Sequence, residues 1–422
     1  MPGERVLIVG AGVAGSILAY WLGKHNFQVV VIERSRSEQT AGQGLEIEEP
    51  ALTVVREMGV LSKLQARRTG EKGFELVDKY DRSCGVLKAG GVSPTGALEM
   101  MRGDMADVFY RAADDFPNVE YRFETVIKTI SQTADKVTAE LENRNDKTTT
   151  IEVFDFMVGA DGARSRTRHL ACGSPEQLDC YKRVGAYVAY FSIPTAPQDW
   201  PNSRACGFPG RKVIWLRPIG EKAKTTSVYL VHVHDEIPSL SEAIASGDRT
   251  RQKEQLAQIF SNLGWESDRV VQELKQAGNF YCDDLTQIKL PSWSQGRVVL
   301  VGDSAWAPTP FTGEGNQLAI EGAWVLAQEL CSDRSVAAFQ AYENRFRSYV
   351  EQAQEIPLYG YAPYVFCPTS AFGIWLLRTI YRLVASVIVP LFSKFSSGEV
   401  KEEDKHASFD MQVERWETIE TP

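Results

Sequence analysis

The sequence predicts an α/β protein: a doubly wound, Rossmann-like domain, a β-sheet domain inserted into it, and a C-terminal helical segment. Three features carry that expectation. A strand, a glycine turn and a helix follow one another from Val6 to Lys24; a second strand–turn–helix runs from Gly296 to Leu330; and short β-type runs fill the interval between them. Two ligand-facing turns so far apart in the chain point to one nucleotide site built from both ends of a discontinuous domain.

The first unit is specific because its parts fall in order. Val6-Leu7-Ile8-Val9 reads as a buried strand, Gly10-x-Gly12-x-x-Gly15 as a phosphate turn, and Ser16 to Lys24 as a helix. Gly10 permits the tight turn, Gly12 lets backbone approach a pyrophosphate, and Gly15 lets helix and strand pack closely. The helix N-terminus then faces the anion. Gln28 to Ile32 forms the next strand, and Glu33 ends it near the spacing of about 20 residues at which an acid meets a ribose diol. An acid there disfavours a 2′-phosphate, so the resident ligand is FAD or NAD before NADP.

Composition sets the outer limits. A chain of 422 residues, 43% hydrophobic and 24% charged, has the balance of a soluble protein of two or three domains. Its net charge of −9 argues against nucleic-acid binding, which needs clustered Lys and Arg. Seven cysteines stand without a C-x-x-C pair, so they read as reduced thiols of a cytoplasmic protein, with no metal site.

Taken in order, Gly42 and Gly44 make a loop able to lie against a ligand, and Glu46 follows it directly. Pro50 starts a short helix ending near Met58. Arg102 stands just before a helix with Asp104 in its first turn, a sensible place for a cation facing a phosphate or carbonyl. Thr125 to Ile130, Lys136 to Glu142 and Thr148 to Val153 read as a β-meander. A buried strand then delivers Gly159-Ala160-Asp161-Gly162 into Ser165-x-x-Arg168, an acid and a base beside one nucleotide. Tyr181 to Ile193, Val213 to Arg217 and Thr226 to His234 continue a second sheet, with Tyr190 on the face shared by Val184, Ala186, Val188 and Ser192. Helical spacing follows from Arg249 to Leu263. Finally a fully apolar strand reaches Gly302-Asp303, a proline-rich bend follows, and Gly313-x-Gly315 opens a long helix with Asn316 in its first turn. The acid suits a ribityl hydroxyl and the helix start an electron-rich ring.

The set Gly10-x-Gly12-x-x-Gly15 with Glu33-Arg34, then Arg102, Asp161-Gly162, and Gly302-Asp303 with Pro310-x-x-Gly313-x-Gly315, resembles the class A flavoprotein monooxygenases of the para-hydroxybenzoate hydroxylase fold. The likeness covers about residues 5 to 350, and is nearest the branch with the tetracycline-modifying monooxygenase and fungal secondary-metabolite hydroxylases and epoxidases. It implies resident FAD, with NADPH or NADH as transient reductant. Glu33 and Arg34 would meet the adenosine ribose, Arg102 the flavin end or pyrophosphate, Asp161 the pyrophosphate, Asp303 the ribityl chain, and Gly313 to Asn316 the pyrimidine edge. It further implies hydroxylation or epoxidation of an electron-rich small molecule by O2 through a flavin hydroperoxide. A dehydrogenase on the same fold is the alternative; a halogenase is disfavoured because no Trp-x-Trp-x-Ile-Pro segment occurs. Departures include Trp306 where many relatives carry histidine, Asn316-Gln317 where a small residue and asparagine are usual, and Gly322 in place of an acid. Glu46 is the candidate acid/base or substrate-orienting group. Tyr190 stands where some relatives place an arginine or glutamine, and Trp215 and Arg217 join it as cavity candidates.

The implied domains are 1–72, 96–180 and 278–350 for FAD, 73–95 and 181–277 for substrate, 351–395 as a bridging helical segment, and 396–422 as a mobile tail. Phe372 to Phe392 is apolar but interrupted by Arg378 and Arg382, which share a helix face. It reads as a helix clasping the two domains, with membrane-surface contact as the second reading.

Overall fold

A computed structural model of the chain describes residues 3–35, 43–90, 93–96, 98–173, 178–220, 224–234 and 236–391. Gly42 and the tail 396–422 lie outside the described residues. Six strands form the nucleotide sheet in the order Ser294–Gln295, Val298–Leu300, Phe156–Gly159, Arg5–Val9, Gln28–Ile32, Val119–Arg122, parallel apart from the edge pair Ser294–Gln295 with Val298–Leu300. Strands covered on both faces must be apolar throughout, and Val6, Leu7 and Ile8 are fully buried. Val6 and Ile8 pack toward a core with Ile17, Phe109 and Leu318 from the helices Val13–Lys24, Arg102–Asp114 and Gly315–Ser332. Leu7 and Val9 face the other way, onto Ile127, Val137 and Leu141. That second cover is an antiparallel sheet of Thr125–Gln132, Val137–Asn143 and Thr149–Phe154, which is the expected meander.

The second sheet has seven strands in the order Tyr281–Ile288, Tyr181–Pro194, Thr225–Val233, Lys212–Pro218, Ser203–Phe208, Gly73–Val77, Ser83–Lys88. Alternation assigns its faces. Tyr187, Ala189, Phe191, Ile214 and Leu230 pack with Leu240, Leu256, Phe260 and Leu274 of the helices spanning 238–276. Ala186, Val188, Tyr190, Val213 and Val231 lie on the opposite face, toward Phe311, Tyr364 and Cys367. The strand Tyr281–Ile288 pairs with Tyr181–Pro194, so it belongs to this sheet and not to the nucleotide domain that the boundary at 278 assigns it to. Its own alternation could not say which of two sheets it would join.

The C-terminal segment also departs from expectation. Gln354 does tie the two units: its Nε2 donates to Ile288 O at 2.8 Å and Trp306 O at 3.0 Å, while its carbonyl accepts from Gln287. The apolar helix beginning at Ala371 rests instead along the edge of the second sheet. There Tyr381 Oη donates to Phe74 O at 3.0 Å, Arg378 Nη2 to Gly207 O at 3.0 Å, and Ala385 sits against Gly85. Ile374 alone is buried within Ala371–Leu391, and Phe372, Trp375, Ile380 and Leu383 are exposed.

Candidate functional site

The glycine turn is built as its sequence demands. Gly10 has φ +109°, and a Cβ there would lie 2.5 Å from Ala160 O. A Cβ on Gly15 would lie 2.0 Å from Gly10 O, so Gly15 is required by the protein's own packing. Gly12 is different: a Cβ there meets nothing within 4 Å. Since Gly12 is extended, at φ −77° and ψ −170°, its glycine is demanded neither by conformation nor by protein neighbours. It borders open space at an uncapped helix start, a cradle with the shape and polarity for a phosphate. Glu33 hangs over this turn, accepting from Ala11 N at 3.1 Å and Ser35 N at 2.9 Å. Arg34 points to solvent and its carbonyl accepts from Arg144.

Asp303 arrives at the same turn from the other end of the chain. Gly302, at φ +69°, brings its backbone so close to the first helix that a Cβ would lie 3.1 Å from Ala14 Cβ. Burial pushes the Asp303 carboxyl up, Arg102 opposes that shift and Asp283 adds to it. Arg102 is the first residue of its helix, held by Arg102 N donating to Gln43 O at 3.0 Å. Its positive charge lies near enough to Asp303, Tyr190 and Tyr281 to favour their ionised forms, against the larger effect of burial.

Gly44–Glu46 forms a short ladder with Glu99–Met101. What this strand offers the long helix is a backbone atom: Asn316 Nδ2 and Gln317 Nε2 both donate to Glu46 O, at 2.8 and 3.4 Å. The Glu46 side chain lies against Gly96, where a Cβ would collide with its carboxyl. Asn316 Oδ1, Gln317 Oε1 and Thr309 Oγ1 are buried with no hydrogen-bond partner among the described residues. Pro310 and Gly313 are exposed beside them, with Gly313 at φ +77° and open space around it, and Gly315 begins the helix. An open acceptor beside an uncapped helix start suits the single N3–H and the carbonyl oxygens of a flavin's pyrimidine edge.

Asp161 is anchored locally. Its carboxylate accepts from Ser165 Oγ at 2.5 Å, Thr167 N at 3.0 Å and Thr167 Oγ1 at 3.1 Å, bracing the start of helix Arg166–Cys172. Arg168 is fully buried and donates to Ser304 O at 2.7 Å and Ala163 O at 2.6 Å, which joins the segment after Asp161-Gly162 to the one after Gly302-Asp303. Pattern alone cannot tell an acid that caps its own helix from one that meets a nucleotide.

Tyr190 belongs to a row of aromatic rings crossing the second sheet. It pairs in register with Tyr229 and Tyr281, with centroids 4.9 and 6.3 Å away; Trp215 is 5.3 Å from Tyr229, and Phe74 5.5 Å from Trp215. The row reaches the strand Gly44–Glu46, since Gly44 N donates to Tyr229 Oη. Tyr281 Oη donates to Asp283 at 2.8 Å, and Asp283 pairs with Arg164 at 2.5 Å. Burial raises the Tyr190 hydroxyl well above the usual phenol range, so it stays neutral. Arg217 stands behind the row and is enclosed: it bonds Glu71 Oε2 at 2.7 Å and also Glu99, with its guanidinium 4.8 Å from the Trp215 ring. Tyr229, Tyr281, Asp283 and Glu99 escaped the sequence reading, because only strand register brings them here.

The chain matches the FAD binding domain family over residues 4–357. It is 35% identical to Monooxygenase CTB7 of Cercospora beticola, covering 95% of this chain and 96% of that one. It is 31% identical to the flavin-dependent monooxygenase eupH of a Phoma species, with 91% and 93% covered. Among solved structures, the tetracycline destructase Tet(55) superposes with a TM-score of 0.74 at 26% identity, over 91% of this chain and 97% of that one.

Proposed function

The chain belongs to the FAD binding domain family and is a class A flavin-dependent monooxygenase, and from that premise we propose that it uses NADPH or NADH and O2 to hydroxylate or epoxidise an electron-rich aromatic or polycyclic small molecule of secondary metabolism. The observation that carries the substrate class is the aromatic row of Tyr281, Tyr190, Tyr229 and Trp215, beside Gly44 and Arg102. Flat rings present faces and edges that stack on a π-rich guest, each contact worth about 0.5–1.5 kcal/mol beyond burial.

In this reading FAD lies from the glycine turn to the start of helix Gly315–Ser332. Gly12 and the amides after it receive the pyrophosphate, Glu33 the adenosine ribose and Asp303 the ribityl chain. Asn316 and Gln317, with the helix N-terminus, receive the pyrimidine edge, where their polar atoms favour negative charge on the reduced ring. When bound, the flavin supplies hydride acceptance and oxygen activation. The residues of this chain orient the guest, keep water out and hold Arg102 near Asp303 and the tyrosines. Glu46 acts mainly through its carbonyl, which fixes Asn316 and Gln317. Tyr190 stays neutral at working pH, as a wall and hydrogen-bonding group.

The test uses isotopically labelled O2 with the FAD-loaded chain, NADPH and a panel of naphthols, indoles and tetracycline. Label in the product is expected. Product formed without label would make the chain a dehydrogenase.

The exposed helix Ala371–Leu391 supports a second, weaker reading, in which the enzyme rests on a membrane surface. Cosedimentation with phosphatidylcholine vesicles, lost on truncation after Ser370, is the expected result. Equal recovery of both forms in the supernatant would end it.

A further inference from the structure

The long helix Gly315–Ser332 is buried along most of its length, and most of the side chains it buries are apolar, among them Leu318, Ile320, Val325 and Leu326. One face breaks that pattern. Gln317, Glu321, Trp324 and Gln328 recur at i, i+4, i+7 and i+11, which stacks them along a single stripe. Glu321 is 0% exposed, Gln317 4% and Gln328 6%. Among the described residues, no group comes within good hydrogen-bond geometry of Gln317 Oε1, either Glu321 oxygen or either amide atom of Gln328. The Tyr349 hydroxyl from helix Ala337–Ala353 and the Ala51 amide from helix Ala51–Glu57 are the donors nearest the Glu321 carboxyl, and Glu314 is the other charge nearby.

Each buried polar atom left unpaired costs about 1–3 kcal/mol, so a stripe of them in an otherwise apolar helix is stable only if something pairs with it. Buried water, which makes 2–4 hydrogen bonds at such sites, is the small partner that fits between side chains one turn apart. The stripe also runs to a meaningful place. Its first member, Gln317, shares the Glu46 carbonyl with Asn316 at the helix start.

We propose that Gln317, Glu321 and Gln328 hold a file of buried waters that carries protons to the flavin end of the helix, with Glu321 as its proton-holding group. The inference rests on the monooxygenase reading for its purpose. That reaction, RH + NADPH + O2 + H+ giving ROH + NADP+ + H2O, takes up a proton inside a site that must otherwise exclude solvent. Burial, reinforced by Glu314, keeps the Glu321 carboxyl neutral, so it stores the proton that a shielded site needs. It touches neither substrate nor FAD and acts through the waters and Gln317.

Two measurements on the FAD-loaded enzyme test the file without any substrate. A high-resolution crystal structure should place ordered waters on Gln317 Oε1, Glu321 and Gln328; a dry stripe with Glu321 closed by protein donors would overturn the proposal. Infrared spectroscopy should show a buried carboxylic-acid band that disappears in Glu321→Gln, and its absence from the wild type would count equally against it. A third measurement reads proton delivery. When NADPH-reduced enzyme is mixed with O2 alone, Glu321→Gln should reoxidise about 100-fold more slowly, the scale of one lost general acid. Unchanged reoxidation in a variant that binds FAD normally would refute the relay. Failure of the labelled-oxygen experiment with the water file present would instead refute the monooxygenase reading alone.

Discussion

Gly12→Val should yield a folded chain that binds FAD far more weakly, whereas Gly15→Ala should lower stability and FAD affinity together. The two glycines look equivalent in the motif, and their surroundings separate them. A Cβ on Gly12 meets no atom of the described residues within 4 Å, so a side chain there starts into the open space of the phosphate cradle and should obstruct the ligand more than the fold. A Cβ on Gly15 lies 2.0 Å from Gly10 O, and backbone must move to admit it. Overpacking of that kind costs about 1–3 kcal/mol or more. For Gly12→Val the apo melting temperature should stay near that of wild type while FAD affinity falls at least about 100-fold, roughly 2.7 kcal/mol. Flavin fluorescence titration beside thermal unfolding of the apo chain reads both. Normal FAD affinity in Gly12→Val would remove the glycine turn from the cofactor site.

The second large effect is expected at Arg217. Glu71, Arg217 and Glu99 expose 1%, 6% and 5% of their side chains, so two carboxylates share one guanidinium away from water. Arg217→Met keeps much of the volume but leaves both acids unpaired, a loss of about 3–5 kcal/mol for a buried pair broken from one side. Burial pushes the Glu71 carboxyl up, Arg217 opposes that and Glu99 adds to it. A carboxyl raised on folding contributes stability that is fully present below its unfolded pKa and is lost as pH climbs through the folded value. Without Arg217 that rise is larger, so the gap in melting temperature between wild type and Arg217→Met should widen from pH 5 to pH 8. Glu71→Gln on the Arg217→Met background should recover part of it, most at the higher pH. A gap independent of pH would show that Glu71 carries no ionisation penalty. Because Gly44 packs on Glu99 and Arg217, and Gly44 N bonds Tyr229, the loss should extend to the alignment of the aromatic wall with the strand Gly44–Glu46.

What the sequence by itself determined lies in local units. Strand, glycine turn, helix and acid from Val6 to Glu33 are legible because turn geometry and a buried strand's apolarity are set by near neighbours. The same holds for Gly302-Asp303, the helix from Gly315 and the meander over 125–154. Three-dimensional packing decided the rest. Glu46 is notable in sequence for its carboxylate, and packing adds a bond from Asn316 to its carbonyl; the pattern at Asp161 suggests a nucleotide contact, and packing shows its carboxylate bracing its own helix. Arg217 stands in sequence beside cavity candidates, and packing locks it between two acids. Tyr190, Tyr229, Tyr281 and Trp215 become one wall only through the register of four strands. A side chain's type and its period along the chain state which face it occupies; which distant atoms wait on that face depends on how strands and helices pair, and no local pattern encodes that.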